Sequence, residues 1–168
     1  MPRKAFTLVE LLVVIAIIGL LSTVAVVSLS SARVKARNAK RVADIKQLMV
    51  AFNLGLSAST SGTYPSTTGD FCISTTCYGG WKNYGPDDTV NSFFTPFMPN
   101  KPSDPSDGGA RGYGGYIYTV WAGGTAPSGV VFTSGSYLNY LLEPPASCDL
   151  GAMYIATANY VQCLLKLE

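Results

Sequence analysis

The side chains that could carry chemistry are few in this chain of 168 residues. Histidine, the commonest general base and the commonest zinc ligand, does not occur in the sequence. The remaining candidates are four cysteines, two aspartates in a glycine-rich loop and one glutamate beside a long apolar run. No motif places a nucleophile next to a base. We therefore expect a protein that is not an enzyme.

The four cysteines, Cys72, Cys77, Cys148 and Cys163, allow three disulfide connectivities. Proximity along the chain favours Cys72 with Cys77 and Cys148 with Cys163. Zinc binding is the competing interpretation, but a Cys-x4-Cys followed by a Cys-x14-Cys is a weak match to known zinc spacings. An exported chain meets oxidising conditions, so disulfides are the favoured prediction.

Asp104 and Asp107 lie in a loop that continues into two glycines. Calcium takes six to eight oxygen ligands, and these two carboxylates with nearby carbonyls make a weak candidate site. The full EF-hand spacing is absent, so an ordinary Asp/Pro/Gly turn is the alternative. No other metal or cofactor is expected.

Glu10 is followed by 22 residues without a charge, residues 11–32. At 1.5 Å per residue, such a helix spans the roughly 30 Å hydrocarbon core of a bilayer. The run is longer than that of a secretory signal peptide and continues into a charged segment, which predicts a retained membrane anchor. Because a carboxylate is costly in lipid, Glu10 either implies a positively charged partner or marks the interface and reaches the lipid headgroups, and the first interpretation is favoured.

Charge divides the chain into two parts. Residues 1–50 hold eight Lys and Arg against two Asp and Glu, whereas residues 51–168 hold four against eight. The cations after the apolar run would by themselves place the C-terminal part inside the cell, but the cysteines and the polar composition favour an exported head.

A nucleic-acid partner is not indicated, because no basic cluster accompanies the exposed aromatic candidates Trp81 and Tyr84.

Helical periodicity continues beyond the apolar run. A single helix over residues 7–52 is predicted, with a solvated charged face between Arg33 and Lys46. Its opposite, apolar face comprises Val34, Val42, Ile45, Met49, Phe52 and Leu56.

The rest of the chain predicts a head. Residues 57–115 are expected to form a long connection with one short helix, residues 90–94, capped by Asp88 or Thr89. Strand patterns follow at 116–121, 130–133, 137–142 and 160–165, with the tyrosines packed in an antiparallel meander. We predict an α+β fold, in which a long N-terminal α-helix packs on a small antiparallel β-sheet head. The predicted segments are 6–32 (membrane-spanning half), 33–56 (amphipathic half), 57–115 (connection) and 116–168 (sheet).

The sequence RKAFTLVELLVVIAIIG at residues 3–19 resembles the N-terminal signature of type IV prepilins and pseudopilins. This resemblance implies that residues 1–5 are a leader and that a membrane aspartyl peptidase cuts between Ala5 and Phe6 and then N-methylates Phe6. It also implies that Glu10 neutralises the amine of Phe6 in a neighbouring subunit. Ala5 stands where the family usually has glycine, and the apolar run lacks the proline that many relatives carry.

Later parts of the chain resemble the family more loosely. Cys148 and Cys163 lie where many pilins have a disulfide-bounded loop. Residues 99–105 and 115–118 resemble the proline-aspartate-proline and tyrosine pattern of major pseudopilins, some of which bind calcium in a loop of similar position to that of Asp104 and Asp107.

The resemblance implies a structural subunit of a type IV pilus-like extracellular filament, a helical homo-oligomer. The precursor would be a single-pass protein of the inner (cytoplasmic) membrane with its head outside the cytoplasm. Its implied partners are the prepilin peptidase/methylase, a pilus assembly platform with its ATPase motor, and membrane lipid before assembly. The alternatives are a major pseudopilin in a periplasmic pseudopilus of a type II secretion or competence system and, from another class, a monomeric membrane-anchored binding module. Adhesion, twitching motility, DNA uptake and secretion are the roles open to such filaments.

Overall fold

The computed structural model describes residues 6–77, 85–105 and 114–168. The chain divides into two compact units, Met1–Ala36 and Arg37–Glu168, which are treated separately below. The predicted α+β fold is confirmed. Its elements are α1 (Leu8–Ala58), β1 (Asp70–Cys72), α2 (Asp88–Phe94), β2 (Tyr116–Trp121), β3 (Gly124–Thr125), β4 (Val131–Phe132), β5 (Gly135–Leu142), β6 (Ala152–Ala156) and β7 (Val161–Lys166).

The first unit is the N-terminal part of α1, a helix of 51 residues in total. An 18-residue window of this helix has a mean hydropathy of 2.8, and no part of that window is buried. Length and composition therefore make α1 able to cross a membrane, as predicted from the apolar run.

An antiparallel sheet in the order β1-β2-β5-β7-β6 forms the second unit together with the rest of α1. This order differs from the predicted meander in two ways: the segment at 130–133 lies outside the sheet, and β6, which was not predicted, pairs with β7 at the edge. The connection 57–115 also supplies an edge strand, β1, whose Cys72 pairs with Ile117 of β2. A three-residue strand is too short to show an alternation of apolar and polar residues, so its sequence predicts a loop.

β3 and β4 form a separate two-stranded ribbon, which we call the flap (residues 124–132). The predicted strand at 130–133 is therefore only Val131–Phe132, and it pairs with β3 instead of joining the main sheet. Ser128, in the turn of the flap, donates from its backbone N–H to Tyr154 O (3.1 Å) and from its hydroxyl to Met153 O (2.6 Å). The flap thus covers carbonyls of the edge strand β6, which has a bulge between Met153 and Ile155.

The core of the second unit lies between α1 and the sheet. The ring of Phe52 stacks on Tyr118, with centroids 5.2 Å apart, and on Phe94, at 5.1 Å. Leu138 of β5 is also fully buried. The predicted packing of tyrosines in the sheet is confirmed for Tyr116, Tyr118, Tyr137 and Tyr140, which are all buried.

The buried face of α1 differs slightly from the predicted one. Ile45 and Phe52 are buried as expected, but Leu48 and Ala51 complete the face. In α2, the cap is Asp87, whose side chain accepts from the backbone N–H of Val90, and neither Asp88 nor Thr89 has that role. Asp88 and Thr89 are already helical residues, because the N-cap is Asp87, one residue before the first predicted cap.

Candidate functional site

The start of α1 places Thr7 and Glu10 in direct contact. Thr7 donates to Glu10 Oε2 from its backbone N–H (2.8 Å) and from its hydroxyl (2.7 Å). In return, the backbone N–H of Glu10 donates to Thr7 Oγ1 (3.2 Å). This reciprocal arrangement is a capping box, which satisfies backbone donors that the first helical turn leaves free. The carboxylate is thereby held at the positive end of the helix dipole.

Phe6 precedes this box and is 78% exposed. The peptide bond predicted to be cut joins Ala5 to Phe6, and Ala5 lies outside the described residues. Cleavage at this bond and methylation of Phe6 therefore stay predictions. The capping box itself was missed in the sequence, although the Thr-x-x-Glu spacing that signals it stands at residues 7–10.

A network of ion pairs ties α1 to the head. Arg41 donates from Nε to Asp104 Oδ1 (3.0 Å) and from Nη1 to Glu143 Oε1 (2.9 Å), and these three side chains are at most 5% exposed. Arg37 makes a two-pronged ion pair with the same Glu143. Asn38 completes the link, because its amide binds both the backbone N–H and the carbonyl of Glu143.

This network corrects the prediction of a solvated charged face at residues 33–46 in part, since Arg33, Lys35, Lys40 and Lys46 are exposed as predicted. Arg41 and Asp44 are buried, and Arg37 is only partly exposed. The acids that bind Arg37 and Arg41 come from distant loops, so helical periodicity contained no sign of them. Charged residues go inside a protein only when they are paired and hydrogen-bonded, which is the case here.

Asp44 and Tyr116 form a second buried contact beside the network. The phenol of Tyr116 donates to Asp44 Oδ2 (2.7 Å), which also accepts from Lys40 (2.6 Å). Burial, with the nearby carboxylates, raises the pKa of Tyr116 above its ordinary value. The neutral phenol therefore acts as a donor that fixes α1 on β2.

The candidate calcium ligands are placed only in part. Asp104 accepts from Arg41 through Oδ1 and from the backbone N–H of Gly115 through Oδ2 (2.6 Å), so both of its oxygens are engaged. Asp107 lies outside the described residues. Within the described ranges, no group of three or more His, Cys, Asp or Glu side chains is arranged to hold a metal ion. Calcium binding stays a prediction, and Asp104 serves here to fasten its loop.

The cysteines form two disulfides, and both are the pairs that sequence proximity favours. Cys72 bonds to Cys77, five residues away, and Cys148 bonds to Cys163, fifteen residues away. Gly115 passes close to the first bridge with φ 96°, and a Cβ there would lie 2.7 Å from Thr76 O. Only glycine fits this position, because an L-residue would meet both strain and a clash.

Aromatic side chains also cluster on the outer face of the sheet, beneath the flap. Trp121 lies 5.3 Å from Tyr154, and Phe132 lies 5.7 Å from Tyr137, in both cases measured between ring centroids. Trp81 and Tyr84, the predicted exposed pair, lie outside the described residues.

Comparison with protein families gives a match for the N-terminal segment. Residues 1–26 match the family described as the prokaryotic N-terminal methylation motif. Comparison with curated proteins found no match, and comparison with solved structures found none either. The matched residues include the capping box and most of the apolar half of α1, which together fit a membrane-anchored precursor. In its first 26 residues, this chain therefore carries the prepilin signature of type IV pilins and pseudopilins.

Proposed function

We propose that this protein is the structural subunit of a type IV pilus-like filament. The precursor is cleaved between Ala5 and Phe6, methylated on the new N-terminus and polymerised through α1. The observation that carries the proposal is the continuity of the methylation motif at residues 1–26 with an apolar helix whose side chains at residues 8–23 are all exposed. Such a surface needs either lipid or neighbouring helices around it.

In the proposed filament, Glu10 fixes the axial position of each subunit relative to its neighbour. The capping box holds its carboxylate in the first turn of the helix, next to the position that becomes the N-terminus after cleavage. A methylated ammonium on Phe6 of a neighbour would pair with it, and a displaced subunit would leave both charges buried and unpaired. An unpaired buried charge costs several kcal/mol, so one axial position is favoured.

The assembly needs partners that this chain does not supply. Moving α1 from lipid into a bundle exchanges one apolar environment for another, so hydrophobicity gives little driving force. A prepilin peptidase/methylase, an assembly platform and an ATPase motor are the proposed partners. We propose that the precursor resides in the inner membrane with its head outside the cytoplasm, where oxidation supports both disulfides.

Intact-mass spectrometry of protein isolated from the cell envelope tests this proposal. The expected species begins at Phe6 and carries one added methyl group. A retained five-residue leader on all copies, in material that is monomeric, would instead support the membrane-anchored binding module.

A major pseudopilin is the second candidate, favoured by the pattern at residues 99–105 and 115–118. Asp104 and Gly115 of this pattern are hydrogen-bonded to each other. Deleting the gene separates the two candidates: loss of long surface fibres supports the pilin, whereas loss of protein secretion with no change in surface fibres supports the pseudopilin.

A further inference from the structure

The first disulfide closes a small loop, residues 72–77, which we call the disulfide loop. This loop contacts two separate stretches of the chain. Thr75 donates from its backbone N–H to Pro102 O (3.1 Å). The backbone at Gly115 passes so close that a Cβ on that residue would lie 2.8 Å from Cys77 Cα. The disulfide loop therefore holds both stretches through backbone contacts.

The same loop also holds the start of β2. The buried hydroxyl of Ser74 accepts from the backbone N–H of Tyr116 (3.2 Å) and donates to Thr76 O (2.6 Å). It lies 3.2 Å from Cys77 Sγ. Ile73 donates from its backbone N–H to Tyr116 O (2.9 Å). Both backbone polar groups of Tyr116 are thus engaged by the disulfide loop.

The residues held in this way are those that bind α1. Asp104 accepts from the backbone N–H of Gly115 through one oxygen (2.6 Å) and from Arg41 through the other (3.0 Å). The phenol of Tyr116 donates to Asp44 Oδ2 (2.7 Å). Two polar attachments of α1, at Arg41 and at Asp44, therefore depend on chain that the disulfide loop contacts.

The second disulfide is placed differently. Cys163 lies in β7, and Cys148 comes five residues after Glu143, the other acid that binds Arg41. Glu143 directly follows β5, whose last residue, Leu142, pairs with β7. Pairing of β5 with β7 therefore already positions Glu143.

We infer that oxidation of Cys72 and Cys77 is a switch that fastens α1 to the sheet. When both thiols are reduced, no covalent bond keeps the disulfide loop closed against Gly115, and the carboxylate of Asp104 is no longer held toward Arg41. Closing the bridge removes two protons and two electrons from the thiols. A protein disulfide of the oxidising compartment accepts them by thiol–disulfide exchange and becomes a dithiol.

In the proposed filament, this switch would ensure that only an exported, oxidised head offers a firmly held α1 to its neighbours. That consequence rests on the proposed function. The switch itself is a property of the single chain, so it can be measured on the full-length protein in detergent, where no filament is needed.

The switch predicts that the contribution of Arg41 to stability depends on the first disulfide. In the unmodified chain, Arg41→Met should lower the folding equilibrium constant by about a hundredfold. In the Cys72→Ser/Cys77→Ser background, the same substitution should lower it by about tenfold or less, because Asp104 is no longer held against Arg41. Denaturant unfolding of the four chains measures this difference.

Cys148→Ser/Cys163→Ser is the matched control background. In a chain-entropy account, a disulfide stabilises more when it closes a longer loop, and this bridge spans fifteen residues against five. A general loss of cross-linking should therefore be larger in the control. The effect of Arg41→Met should nevertheless stay within about threefold of its value in the unmodified chain.

Amide hydrogen exchange locates the change along the chain. In Cys72→Ser/Cys77→Ser, the backbone N–H groups of Thr75 and Gly115 should exchange about tenfold faster or more than in the unmodified chain. Those of β5 and β7 should change by no more than about twofold.

The switch is overturned if Arg41→Met has the same effect with and without the first disulfide. Equally faster exchange throughout the sheet, including the case in which the variant does not fold, would also overturn it, because the bridge would then be a general cross-link. Those results would leave the proposed filament function intact. That function fails separately if the unmodified chain keeps its leader and does not assemble.

Discussion

Glu10 shows how one carboxylate can meet two needs at different stages. Before assembly, Thr7 supplies it with two hydrogen bonds from the same chain. If the chain is cleaved as proposed, Glu10 would lie four residues from the new N-terminus, where it could meet an amine from a neighbour. The hydrogen bonds from Thr7 already supply the acid with donors inside its own chain, which lowers its cost near lipid.

Two substitutions separate these needs. Glu10→Gln keeps an oxygen that can accept from Thr7 but removes the charge, whereas Glu10→Ala removes both. We expect both variants to insert in the membrane and fold their heads, yet to be incorporated poorly into filaments, as measured by sheared-fibre yield against the total pool. Normal incorporation of Glu10→Gln would show that capping alone suffices and would contradict the pairing argument.

Arg41 holds two buried acids, Asp104 and Glu143, from different loops. Arg41→Met should destabilise the head by about 3 kcal/mol, because it removes one partner of two buried ion pairs, those with Asp104 and Glu143. Denaturant unfolding of the full chain in detergent measures this change. Lys46→Met, at an exposed position, is the control and should alter the free energy of unfolding by no more than about 0.5 kcal/mol. Equal effects would mean that the network contributes little.

Two buried tyrosines give the head a response to high pH. Burial raises the pKa of both Tyr118 and Tyr140 from the ordinary 10 to about 12. Because the folded state disfavours their ionisation, their stabilising effect is complete below pH 10 and is lost as the pH rises toward 12. Absorbance at a phenolate wavelength should show late ionisation of these residues, together with falling stability over that interval. Stability that stays constant from pH 10 to 12 would contradict this sign.

At the scale of elements, the flap and β6 depend on each other. The bulge in β6 brings Tyr154 into contact with Trp121 and Phe132, while Ser128 binds two consecutive carbonyls of the strand. A free strand edge is a template for unwanted pairing with other chains. The flap therefore closes the edge of the sheet opposite β1.

Ser128→Ala tests that closure. It removes the hydroxyl bond to Met153 O, and we expect the flap to open more readily by about 1 kcal/mol, seen as faster amide hydrogen exchange in residues 124–132. Ser147→Ala, which removes an exposed contact with Asp149, is the control and should leave exchange in the flap unchanged. Unchanged exchange in Ser128→Ala would mean that the aromatic contacts hold the flap by themselves.

At the scale of the whole molecule, the two units differ in how much of their apolar surface is buried. The unit Arg37–Glu168 contains the core, both disulfides and the ion-pair network, whereas the unit Met1–Ala36 has an exposed apolar helix surface. We expect residues 37–168 to fold by themselves when exported to an oxidising compartment. Near-ultraviolet circular dichroism and a cooperative thermal transition would verify this. An aggregated or unfolded product would show that residues 37–168 need residues 1–36 to fold.

The long helix, its apolar half, the prepilin signature and the favoured cysteine pairs can all be predicted from the amino-acid sequence. These features are local, since they follow from composition, periodicity and short spacings that neighbouring residues express directly. Long-range packing determines that Arg41 is buried and that β1 and β6 flank the sheet. The partners that fix those positions lie far away in the chain: Asp104 and Glu143 for Arg41, and the central strands for β1 and β6. A charged helical residue has the same local pattern whether it meets water or a distant acid, so only the folded chain distinguishes the two.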